Sequence, residues 1–258
     1  MIIKLLVLFF TPLISGLLIF MVPVIKSSNF RLLLTFAGSY LFGITVVHIL
    51  PELYHQSAGV ELIGLFVLAG FFLQQVLEYF TSGIEHGHMP SRAGEHHSHD
   101  HHHHHSHHHR QVSAIVLLAA LCVHAFLEGS MLAQPLSMGP HYDTNAILLG
   151  IALHRTPAAF ALMTVLTFQL GSKKESIPYL VGFSLAAPVG LLLSSYLTQS
   201  EILTGNALIA LYALVSGNFL HISTTIVFES SPEHHFNSRK LAVAIVGALL
   251  AVAVEYMM

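Results

Sequence analysis

The run from Ser113 to Gln134, SAIVLLAALCVHAFLEGSMLAQ, decides how this chain is read. It is apolar enough and long enough to cross a bilayer as a helix, which takes about 20 residues. Yet it carries His124 and Glu128 in its middle. Four residues apart on a helix, an imidazole and a carboxylate stand one turn apart on one face. An ionisable group at mid-membrane costs about 2.5 to 3.5 kcal/mol on insertion scales, so such groups mark an ion or substrate path. The next apolar run holds His154-Arg155-Thr156-Pro157. If the first run goes outward from Ser113 and the second returns inward from Thr144, His124 and His154 come level near the bilayer centre.

Working outward, the rest of the 258-residue chain has the same character. It is 54% hydrophobic and 9% charged, far from the balance of a soluble domain. Eight stretches are long enough to span: 3–25, 32–54, 60–80, 113–134, 144–170, 177–197, 203–228 and 239–258. The expected fold class is an all-α integral membrane protein of eight transmembrane helices. It forms a single membrane domain, with helices 1–3 in 1–80, a histidine-rich loop in 81–112 and helices 4–8 in 113–258. Lys26, Arg31, Arg92, Arg110, Lys173, Lys174, Arg239 and Lys240 flank alternate links, while 55–59, 135–143 and 198–202 hold no Lys or Arg. By the positive-inside rule the basic links are cytoplasmic and both termini extracytoplasmic. Lys4 is the one charge against this orientation. The lone Cys122 excludes an intramolecular disulfide or a cysteine-cluster metal site.

Other ionisable groups gather toward the ends of the spans. His48, Pro51 and Glu52 close span two and form a candidate entrance; the alternative reading is a polar helix end terminated by Pro51. Glu78, late in span three, is a candidate exit ligand. Span seven contains His221 and runs into Glu229, Glu233 and His234, a candidate exit. Between spans three and four, 13 of residues 86–109 are histidine. Such a tract buries nothing apolar, is expected to be disordered and cytoplasmic, and offers imidazoles that bind transition ions loosely. Pro157 is expected to kink span five. The Gly182 to Gly190 stretch of span six reads as a packing or sliding surface. Arg155 points about 100° from His154 and needs an anion or carbonyls, with Glu128 a possible partner. His48-x-x-Pro51-Glu52 and Glu229-x-x-Pro232-Glu233 echo one another, as inverted copies of the first and last three spans would.

The eight spans, the histidine-rich link, His124-x-x-x-Glu128-Gly129, His154-x-x-Pro157, the Ser184 to Gly190 run and the Pro-Glu endings resemble the ZIP (Zrt- and Irt-like protein) family of divalent-metal transporters. The resemblance covers essentially the whole chain. It implies metal influx to the cytoplasm through a site between spans four and five, with His124, Glu128 and His154 as ligands. The sequence departs from the family pattern at Ala125, Leu127, Arg155 and Ala158. Ala125 and Arg155 fall where ligands of a second metal can occur. One transported metal is therefore expected, with Arg155 placing a fixed positive charge where a second cation would sit. Two imidazoles and one carboxylate suit Zn²⁺, with Fe²⁺, Mn²⁺ or Cd²⁺ as alternatives, better than Ca²⁺ or Mg²⁺. No prosthetic group is expected, nor a nucleic-acid partner. A homodimer and the plasma (cell inner) membrane are the expected assembly and location. The competing readings are an intramembrane zinc-dependent hydrolase and a non-conducting metal sensor.

Overall fold

A computed structural model describes residues 1–21, 27–56, 60–81, 114–133, 144–203, 205–229 and 238–257. Nine α-helices are formed among the described residues: α1 Ile2–Leu17, α2 Ser27–Ile44, α3 Leu50–Gln56, α4 Val60–Thr81, α5 Ala114–Ser130, α6 Thr144–Leu170, α7 Lys173–Gln199, α8 Gly205–Glu229 and α9 Ser238–Met257. A 3₁₀ turn, Leu18–Phe20, extends α1, and a π-helical turn, Thr45–Ile49, joins α2 to α3 without a break. Span two is thus α2, the π turn and α3 together. Spans three to eight are α4 to α9.

Seven helical segments among the described residues are long and apolar enough to cross a membrane, and α5 is a shorter apolar helix. The protein is an integral, multi-pass, all-α bundle. At 17 residues, α5 is about 25 Å long and stops short of the boundary expected at Gln134. Its end is tied off locally: Leu132 N donates to Gly129 O, Ala133 N to Ser130 O, and Ser130 Oγ to Leu127 O at 2.7 Å. Two other expected boundaries move. The α-helical part of span one ends at Leu17, while α7 starts at Lys173, where the Ser172 hydroxyl accepts the Glu175 N–H as an N-cap.

The helix does not end at Pro51. Pro51 lacks an N–H and its ring crowds the preceding turn, yet the helix continues past it to Gln56. The turn before it widens instead, so that Leu50 N donates to Thr45 O, five residues back. Pro157 lies inside α6, which runs as one helix from Thr144 to Leu170. Ser15 Oγ of α1 donates to the Thr156 carbonyl beside it.

The helices pack as two groups. In one, α1 lies against α6 and α7, and α5 against α7; in the other, α4 lies against α8, and α2 against α8 and α9. Contacts of α2 with α6 and of α4 with α5 join the groups. Reciprocal glycines permit the closest approaches. Between α5 and α7, a side chain at Gly129 would strike the Ala187 backbone, and one at Gly190 the Phe126 carbonyl. Gly70 and Gly217 do the same for α4 and α8. Membrane helices gain little from the hydrophobic effect among themselves, so backbone approach of this kind supplies their association. The most enclosed helix is α6, rich in Ala and buried over most of its circumference. α9, by contrast, sends few side chains inward, Gly247 and Ala251 among them.

Candidate metal centre

α5 and α6 present the central groups. Leu117, Leu121 and Ala125 of α5 are buried, and the adjoining face carries His124 and Glu128 one turn apart. His124 stands ten residues in from Ala114, and His154 ten residues in from Thr144. Two helices running in opposite directions therefore bring these histidines level. Their rings meet edge to face, with centroids 5.8 Å apart and planes at 89°.

One ligand atom from each of His124, Glu128 and His154 lies within 4.8 Å of the other two. A tetrahedral ion with bonds of about 2.0 to 2.2 Å holds its ligand atoms roughly 3.5 Å apart, so shifts of about 1 Å close the set. His124 Nε2 already lies 3.2 Å from Glu128 Oε1. All three side chains are 3% exposed or less. The cluster can coordinate a divalent cation through two nitrogens and an oxygen.

Arg155 completes the neighbourhood. Its side chain is 1% exposed, with Nε 4.0 Å from Glu128 Oε2. Nη2 donates to the Phe183 carbonyl of α7 at 2.9 Å, and the guanidinium carbon lies 4.7 Å from the Phe183 ring centroid. A guanidinium tolerates such burial because a carbonyl, an aromatic face and an opposite charge replace part of its hydration. The pairing with Glu128 is thus seen, and it links the two helices, α5 and α6, that carry the cluster.

Two residues with no part in the sequence reading also emerge. Asn218 of α8 is buried, and its Nδ2 lies 3.3 Å from His124 Nδ1. Glu255 of α9 takes His48, with Nδ1 to Oε2 at 2.7 Å. The signal for Asn218 was a carboxamide deep inside an apolar span, beside the more conspicuous His221. For Glu255 it was a carboxylate near the end of a span, where solvation is the ordinary explanation.

The outer candidates are distributed as follows. His48 is buried in the π turn, and Glu52 is half-buried in α3; Glu255 is one partner of His48 at short range. His221 Nε2 lies 2.6 Å from Glu78 Oε2, and the His221 ring stands edge-on to Phe71 at 4.7 Å. Glu78 and His221, both exit candidates, are thus brought together. Glu229 is the last residue of α8, and its side chain lies outside the described residues, as do Glu233, His234 and the histidine tract.

No curated protein matches the chain. Residues 1–255 match the ZIP Zinc transporter family. A match over nearly the whole length, on an all-α membrane bundle with a buried His/His/Glu cluster, means that this protein belongs to the ZIP zinc transporter family.

Proposed function

We propose that the protein moves one divalent transition ion at a time, Zn²⁺ foremost, into the cytoplasm through His124, Glu128 and His154, held near the bilayer midplane. Divalent-metal transport rests on the family and on the cluster; members of this family are transporters, so the hydrolase reading falls away. The observation that carries the proposal is the convergence of three buried ligand atoms from α5 and α6 within 4.8 Å. Neutral imidazoles with one carboxylate bind an ion firmly enough to strip its water and weakly enough to release it.

Arg155 limits the site to a single ion. Its guanidinium lies 4.0 Å from the face of Glu128 that a second cation would use. His48 and Glu52 form the external approach. Glu78 and His221, followed by Glu229, Glu233, His234 and the histidine tract, receive the ion at the cytoplasmic side. Both termini are extracytoplasmic, the membrane is the plasma (cell inner) membrane, and the small-residue faces favour a homodimer.

Inverted repeats are supported by the packing. α9 lies on α2 as α4 lies on α8. Gly247 and Gly70 mark the close approaches, and eight residues beyond each stands a glutamate, Glu255 or Glu78, paired with a histidine of the partner helix. The two helix groups offer natural bodies for alternating access. Only the group with α5 and α6 carries the ligands.

The test is uptake of radioactive zinc by proteoliposomes. Uptake that His124→Ala abolishes supports the proposal; binding without uptake supports the sensor instead. Arg155→Ala is expected to raise bound zinc above one per chain, and unchanged stoichiometry with unchanged uptake would count against the role of Arg155.

A further inference from the structure

Among the contacts of the α5 histidine with the other helix group is a side chain whose chemistry fits both an empty and a loaded site. Asn218 Nδ2 lies 3.3 Å from His124 Nδ1, and the opposite nitrogen of the same ring, Nε2, faces Glu128 Oε1 at 3.2 Å. In this arrangement the amide donates to Nδ1, so the single proton of a neutral ring sits on Nε2, the nitrogen 3.2 Å from the carboxylate. An ion sharing Glu128 must take the Nε2 lone pair. The ring proton then has to reside on Nδ1, which becomes a donor and requires an acceptor. Asn218 Oδ1 is buried and has no hydrogen-bond partner among the described residues. Rotating the carboxamide by half a turn delivers that acceptor from the same residue.

We infer that Asn218 is a positioning residue for the metal site, its carboxamide turning over to hold whichever tautomer of His124 the empty or loaded site needs. The inference rests on His124 being a metal ligand, and Asn218 itself does not touch the ion. The ring keeps one proton throughout; only the nitrogen that bears it changes. Metal-bound histidines are generally oriented by a partner on the second nitrogen, whose removal typically weakens binding about 10- to 100-fold. Here that partner comes from α8, on the helix group that carries none of the three ligands. His221 follows Asn218 by three residues, on nearly the same face of α8, and holds Glu78 at 2.6 Å. Filling the site therefore bears on the contact between the groups.

The experiment measures zinc and cobalt affinity of the purified full-length chain, with His124→Ala as the blank. Asn218→Asp accepts only, matching the loaded tautomer, and is expected to tighten binding about 10-fold and to slow zinc uptake. Asn218→Leu offers nothing to Nδ1 and is expected to weaken binding about 10-fold. Opposite shifts support the inference, as does a ¹⁵N signal placing the His124 proton on Nδ1 when zinc is bound. A packing role alone would weaken both variants alike; that result, or two variants within twofold of the parent, overturns it. A parent chain that binds no zinc overturns the site itself. Binding abolished by His124→Ala but indifferent to residue 218 overturns only the role of Asn218.

Discussion

Glu128 and Arg155 are each almost wholly enclosed, and each is a liability without the other. Removing one member of a buried ion pair costs about 3 to 5 kcal/mol, whereas replacing both by apolar groups can be neutral. Glu128→Gln is therefore expected to lower the unfolding temperature in detergent and to abolish zinc binding. Glu128→Gln combined with Arg155→Met is expected to recover most of the lost stability and none of the binding. Equal stability of the single and double variants would show that the pair is not coupled. His154→Ala removes one nitrogen ligand and leaves the Glu128–Arg155 pair in place, so its expected signature is lost zinc affinity with little thermal change.

Helix contacts transmit to the site without supplying ligands. Gly190 of α7 faces the Phe126 carbonyl, two residues from both His124 and Glu128, while at Gly182 an added Cβ would meet nothing within 4 Å. Gly190→Leu is expected to push α7 off α5 and to weaken zinc binding at least 10-fold, overpacking alone costing about 1 to 3 kcal/mol. Gly182→Leu on the same helix should be silent. The π turn makes a second case. Pro51→Ala restores the missing N–H, so the turn is expected to relax toward α geometry and rotate His48 away from Glu255. A double-mutant cycle between His48 and Glu255 checks this: coupling of about 1 kcal/mol in the parent should vanish in the Pro51→Ala background. Undiminished coupling would separate the π turn from the pairing.

Among the described residues, the hydrogen bonds that cross between the two helix groups include those of two tyrosines. Tyr40 donates to Ala146 O at 3.1 Å and Tyr212 to Ala133 O, each reaching from the α2/α4/α8/α9 group to an end of α5 or α6. In a Cys122→Ser background, joining Ala133→Cys to Tyr212→Cys with a short bifunctional thiol reagent is expected to stop zinc uptake and leave zinc binding intact. Uptake that survives the cross-link would argue against relative motion of the groups.

The sequence alone determined the apolar spans, their order and the central triad. Bilayer thickness sets how many apolar residues a helix needs, and helical periodicity puts His124 over Glu128 with no help from the rest of the chain. α6 matched its expected range of 144–170 to the residue, because link and span differ sharply in polarity there. Tertiary structure alone decided who meets whom across helices. The pairing of His48 with Glu255, of His221 with Glu78 and of Asn218 with His124 joins residues 94 to 207 positions apart. Such partners depend on which helix faces turn inward, and those faces are set by where glycines let two backbones touch. Pro51 marks the same boundary. Its missing N–H was plain in the sequence, but whether the helix stopped or widened depended on the packing around it.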